Sequence, residues 1–119
     1  MSEIQLGVIE SRFADMIWEL QPITTSELVK KAEKEFTWKR TTTHTVIKRL
    51  CEKGLFENNG GTVTALVSRE EFYSLQSRHF VDGSFGGSLP AFIAAFVGGK
   101  KLSKKEADEI RRMIDEAQE

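Results

Sequence analysis

Apolar positions recur at helical intervals through the first part of this chain, then switch to alternation near residue 55. From Val8 to Leu20, the residues Ile9, Phe13, Met16, Ile17 and Leu20 follow one another at helical spacing, with Trp18 beside them. That spacing predicts an α-helix with one apolar stripe. Pro22 lacks the amide a helix would need and ends it. Thr24-Thr25-Ser26-Glu27 has the Thr-x-x-Glu form of a capping box, in which each end satisfies an orphan amide of the other. A second helix is expected over 25–35, burying Leu28, Val29 and Ala32. Phe36 and Trp38 cap the turn into a third helix. It ends at Gly54, a residue that adopts a left-handed terminus at no steric cost.

The period then drops to two. Residues 55–58 read as a short strand, Asn59-Gly60-Gly61 as a turn that accepts positive φ, and 62–67 as a β-branched second strand. Three helices and a two-stranded hairpin, in that order, predict a winged helix-turn-helix with the hairpin as wing. This unit is expected to occupy residues 1–67. Ser68-Arg69-Glu70-Glu71 is a second capping box and opens a helix to about residue 81. A Gly/Ser-rich break over 82–88 precedes a dense apolar helix from Leu89 or Pro90 to Gly98-Gly99. Ser103-Lys104-Lys105-Glu106 caps a last helix that carries Ala107, Ile110, Met113 and Ile114 at core spacing. The fold class is therefore mainly α with a small β-hairpin.

Residues 68–119 are about fifty residues of apolar-rich helix with no staple. Segments of that size rarely bury enough surface to fold alone, and a second copy is the simplest cover. The region is thus expected to be a helical homodimerisation arm. Its interface is assigned to Phe72, Leu75, Phe80, Leu89, Phe92, Ile93, Phe96, Val97, Ile110 and Met113, with His79 there or at its edge.

The third helix carries the candidate chemistry. At about 100° per residue, Val46, Ile47, Leu50 and Cys51 share one side with Thr43 among them. Thr41, His44, Thr45 and Lys48 lie opposite, flanked by Thr42 and Arg49. No carboxylate appears until Glu52. A solvated helix face ordinarily mixes both signs of charge. Three successive threonines are poor helix formers, so propensity does not explain them. The face suits the major groove of DNA. Thr41, His44, Thr45 and Lys48 would meet base edges, and Lys39, Arg40, Thr42 and Arg49 would meet phosphates. The alternative is a winged helix that binds protein or RNA and no operator. Trp18 and Trp38 read as core residues, and Cys51 as an apolar filler rather than a redox sensor.

Composition narrows the picture. The chain has 119 residues, of which 39% are hydrophobic and 29% charged, a globular balance. Its net charge of -1 means that any basic footprint is local. One cysteine excludes an intrachain disulfide and a cysteine metal cluster, and suits a reducing cytosol. No secretory pattern or membrane-length apolar run is present, so a cytoplasmic location and no membrane partner are expected. No nucleophile–base constellation or phosphate-binding glycine loop appears. The chain is expected to be no enzyme and to need no metal or cofactor.

These residues also resemble a known family, the penicillinase and methicillin-resistance repressors (BlaI/MecI) with their copper-regulating relatives. Glu10 and Met16-Ile17-Trp18 match the first helix of that family. Trp38, Thr42, Thr45, Arg49-Leu50 and Lys53-Gly54 match its third-helix pattern. Phe85, Gly87, Phe96-Val97, Leu102-Ser103 and Glu106 match its dimerisation region. The resemblance implies a dimeric winged-helix repressor of dyad-symmetric operators. It also implies a sensor-linked protease as a partner, because several members are inactivated by cleavage in the tail. The prototypes have an Asn-Phe bond where this chain has Ala95-Phe96. Copper-responsive members carry a cysteine-rich carboxyl terminus, and no such cysteines occur here. The wing stretch 58–67 lacks Lys and Arg, so a wing contact would have to use backbone amides and Asn58 or Asn59.

Overall fold

A computed structural model describes residues 6–119. The order is α1 (Val8–Leu20), β1 (Ile23–Thr24), α2 (Thr25–Phe36), α3 (Arg40–Glu52), β2 (Phe56–Asn59), β3 (Thr62–Ala65), α4 (Arg69–Ser84), α5 (Leu89–Gly98) and α6 (Lys104–Ala117). Two compact units divide after His79. The first holds the winged helix and the start of α4. The boundary expected at Val67 falls ahead of that helix.

In the first unit the inner faces of α1, α2 and α3 close with the sheet on Phe13, Ile17, Leu28, Leu50, Phe56 and Val63. The buried face of α1 runs through Phe13, Ala14, Ile17 and Trp18. Ile9 and Leu20 sit at the far edge of the predicted stripe and remain exposed. All three expected N-caps form, and the box at Ser68 closes from both ends, with the Ser68 amide donating to Glu71 Oε1 at 3.3 Å. The amides of Glu27, Glu71 and Glu106 donate to the hydroxyl oxygens of Thr24, Ser68 and Ser103 at 3.1, 3.0 and 3.1 Å.

The wing differs from a simple hairpin. Its sheet has three antiparallel strands in the order β1-β3-β2, with Ile23 opposite Val63. The Thr25 amide donates to the Gly61 carbonyl at 2.9 Å, and the Ala65 amide donates to Gln21 Oε1 at 2.6 Å. Thr24 therefore pairs with the wing and caps α2 at once, which fixes the turn end of the hairpin to the helix-turn-helix. Gly60 and Gly61 take φ of 61° and 99°, as their turn requires.

The α4 helix runs three residues beyond the expected break, to Ser84. Gly83 and Ser84 complete its last turn, and the stop is made by Gly86 and Gly87. Both have positive φ, and the Gly87 amide donates back to the Val81 carbonyl at 3.1 Å.

Phe72 was expected at a dimer interface, and the structure corrects that. It is 2% exposed, with its ring 5.4 Å from Trp18. A side chain already covered by its own unit has nothing left to bury against a partner.

The second unit, Phe80–Glu119, has an aromatic chain at its centre. Phe92 meets Phe85, Phe80 and Phe96 at ring separations of 5.5, 5.9 and 6.2 Å. No residue in this unit is fully buried. Leu89, Ile93, Phe96 and Met113 are exposed, while Phe92, Val97 and Ile110 are half-buried. Leu75, in the first unit, and Phe80 are also exposed. Among the described residues no single helix is long and apolar enough to cross a membrane.

Candidate nucleic-acid interface

Helix α3 is positioned by its core face. Thr43, Val46, Ile47 and Leu50 are buried, and Thr43 is fully covered. Its hydroxyl donates to the Lys39 carbonyl at 3.4 Å. That long contact still satisfies a buried oxygen inside the helix. The turn before α3 is held by aromatic packing, with Trp38 at 4.9 Å from Phe36 and 5.1 Å from Phe13. Thr37 takes a left-handed conformation there (φ 55°), and its amide and that of Trp38 donate to the last carbonyls of α2.

The opposite face is bare. Thr41, His44, Thr45 and Lys48 are all exposed, as are Lys39, Arg40 and Thr42 at the start of the helix. Seven of the eight residues assigned to DNA contact thus lie together on an open surface with no acid among them. The Thr45 hydroxyl donates to the Thr41 carbonyl at 2.9 Å, leaving the lone pairs of its oxygen able to accept. Such a group accepts a hydrogen bond or packs on a thymine methyl.

Arg49 is the exception. Its Nη1 lies 3.2 Å from Glu10 Oε2 in α1, and Lys53 Nζ lies 3.8 Å from Glu10 Oε1. The guanidinium expected at phosphate is directed to a carboxylate in its own chain. Partial burial pulls the Glu10 carboxyl upward. The Gly7 amide, Arg49 and Lys53 outweigh that and hold it below its ordinary value.

The wing adds little charge. Asn58 Oδ1 accepts the Gly61 amide at 2.9 Å, so that oxygen is committed to the turn. Glu57 is the wing's charged residue. Cys51 packs half-buried against the core, and burial, with Glu52 and Glu57, pushes its thiol above its ordinary value. A thiol so disposed is a poor nucleophile. Among the described residues, no group of three or more His, Cys, Asp or Glu gathers as a metal site.

Two polar clusters were not found by sequence reasoning. One is Glu10 with Arg49 and Lys53. The other joins α1 to α4: Asp15 Oδ1 lies 3.3 Å from Arg69 Nε and accepts the Tyr73 hydroxyl at 3.0 Å. Glu10 did leave a signal, because it precedes Phe13, Ala14 and Ile17 by three, four and seven residues. A carboxylate on a buried stripe needs a cationic partner. Asp15 and Tyr73 are 58 residues apart, and nothing local links them.

A three-helix unit with a wing and an acid-free face on its third helix defines a winged-helix regulator that binds DNA. Within that class the chain belongs to the penicillinase repressor family, which matches residues 6–116. It is similar to the penicillinase repressor of Bacillus licheniformis, 27% identical over 94% of this chain and 91% of the relative. It is also similar to the methicillin resistance regulatory protein MecI of Staphylococcus aureus (strain Mu50 / ATCC 700699), 22% identical over 93% of this chain and 94% of that protein. MecI of Mammaliicoccus sciuri is 21% identical over the same shares.

Proposed function

We propose that this chain is a cytoplasmic homodimeric repressor, no enzyme, that occupies a palindromic operator through two copies of α3. The observation that carries this reading is the exposed, acid-free face of Thr41, His44, Thr45 and Lys48. Those four side chains read bases, and Lys39, Arg40 and Thr42 position the helix on phosphates. Lys39, Arg40 and Lys48 supply three cations per protomer, too few for firm binding by one copy at physiological salt. Joining two copies makes the second half-site contact intramolecular and raises avidity. Family membership supports the same reading. So does the second unit, whose Leu89, Ile93 and Phe96 stay exposed.

Two recognition helices related by a twofold axis read half-sites one or more helical turns apart. The partner that relieves repression would be a sensor-linked protease acting on the arm, as the family resemblance implies. The matching bond, Ala95-Phe96, lies within α5, and Phe96 is 59% exposed.

Selection from a random duplex pool tests the reading. It should return a dyad-symmetric sequence, and Thr45→Ala combined with Lys48→Ala should weaken binding to it at least tenfold in a gel shift. A double variant that binds that sequence unchanged removes the assigned face. A purified protein that ignores duplex DNA at low salt removes the function.

A further inference from the structure

Glu10 sits on the face of α1 that packs inward, one turn before Phe13 and Ala14. Its side chain is 19% exposed, against 51% for Arg49. Arg49 lies in the last turn of α3, and Lys53, four residues on, is the cap just past its end, on the same side. One carboxylate reaches both, with its two oxygens divided between them. The Gly7 amide also donates to Glu10 Oε1, at 3.3 Å, and holds the carboxylate from its own helix.

We propose that Glu10 is a positioning residue that sets the sequence specificity of operator binding. It fixes the carboxyl-terminal end of α3 against α1 and withdraws the charge of Arg49 from the DNA backbone. The proposal rests on the operator reading above and deepens it.

The physical reason lies in how the two modes of DNA binding divide. Phosphate neutralisation feeds specific and non-specific binding alike, whereas base contacts feed only the specific mode. Arg49 flanks the base-reading face, where an unrestrained guanidinium would meet the backbone of any duplex. Held by Glu10, it adds little to the sequence-independent term. The end of α3 is meanwhile kept at the angle that brings Thr41, His44, Thr45 and Lys48 to bases together. An ion pair this exposed contributes little to stability. Its removal is therefore read in DNA binding rather than in the melting of the protein.

The test uses the full chain, with the duplex recovered by selection and a scrambled duplex of equal length. Binding is measured by fluorescence anisotropy against salt for wild type, Glu10→Gln, Arg49→Gln and the double variant. Glu10→Gln should bind the scrambled duplex about tenfold more tightly at low salt. Its plot of log affinity against log salt should steepen by about two, as two released arginines per dimer reach phosphates. The ratio of specific to non-specific affinity should fall about tenfold. Adding Arg49→Gln should return the slope to that of wild type. Arg49→Gln alone should move the slope by less than one, and it tests the proposal even where Glu10→Gln folds poorly. A slope that flattens by about two in Arg49→Gln would make Arg49 a phosphate contact and overturn the proposal. So would an unchanged affinity ratio in Glu10→Gln while wild type still selects its duplex, an outcome that leaves the operator reading standing. A wild type that binds neither duplex overturns both.

Discussion

The indole Nε1 of Trp18 donates to the Val67 carbonyl at 2.9 Å, joining the last turn of α1 to the residue where the wing has ended and α4 is about to begin. The same ring lies 5.0 Å from Phe56 and 5.4 Å from Phe72. Trp18 is thus the point at which α1, the sheet and α4 are packed together. Replacing it with Ala should cost about 3–5 kcal/mol, the range for deleting a buried aromatic. Trp18→Phe keeps most of the apolar contact and loses the donor, so it should cost about 1–2 kcal/mol. Urea unfolding of both variants checks the order. Equal costs would mean that the hydrogen bond contributes as much as the ring.

Thr37 offers a gain. It is a β-branched residue at φ 55° and ψ 30°, the left-handed cap that ends α2. An L side chain is strained there by about 1–2 kcal/mol, and Gly is not. Thr37→Gly relieves that strain and gives back part of the benefit as added freedom of the unfolded chain. The expected outcome is a stabilisation of about 0.5–1 kcal/mol. Operator affinity should not change, because Thr37 lies outside the contact face of α3. Thermal unfolding beside an anisotropy titration checks both halves of the statement.

Sequence reasoning succeeds where a feature is local. A capping box depends on four consecutive residues, so Thr24, Ser68 and Ser103 could be read directly, and each accepts the amide three residues on. The bounds of α1 followed from periodicity and the stop at Pro22, and the burial of Thr43 from periodicity. What stayed hidden depends on distant partners. Strand β1 has two residues, too few to show a period, and exists because Val63 and Gly61 lie beside it. Arg49 reads as a free cation until α1 brings Glu10 to it across 39 positions. Phe72 looks like part of an apolar arm until Trp18 covers it.

Glu10 has a consequence for acid stability. Its folded carboxyl titrates below its ordinary value. A depressed carboxylate binds protons less readily when folded, so its contribution is fully present above the unfolded value of about 4.3. The contribution fades as pH falls from there through the lower folded value. With Arg49 half exposed, solvent screening limits the effect to about 0.5 kcal/mol. Wild type should therefore exceed Glu10→Gln by that margin at pH 7, and by less at pH 4, below the unfolded value. Urea midpoints at both values check the sign. A gap that widened in acid would mean that Glu10 is not held in its charged form.

Shortening the chain separates the two units' roles. A chain ending at Val67 loses Phe72, and with it the ring that covers one side of Trp18. It also loses Arg69 and Tyr73, which hold Asp15 of α1. A chain ending at His79 keeps all three. The shorter form should be less stable by about 3–5 kcal/mol, chiefly from the missing aromatic. The longer one should unfold as cooperatively as a small single domain does. Both lack Leu89, Ile93, Phe96 and Met113, so both should sediment as monomers while the full chain sediments as a dimer. At salt concentrations where the full chain binds its operator, the His79-terminated chain should then bind a half-site weakly, with roughly half the salt slope, because one protomer neutralises half the phosphates. Dimerisation of that chain to the same extent as the full one would move the interface out of residues 80–119 and onto the winged helix itself.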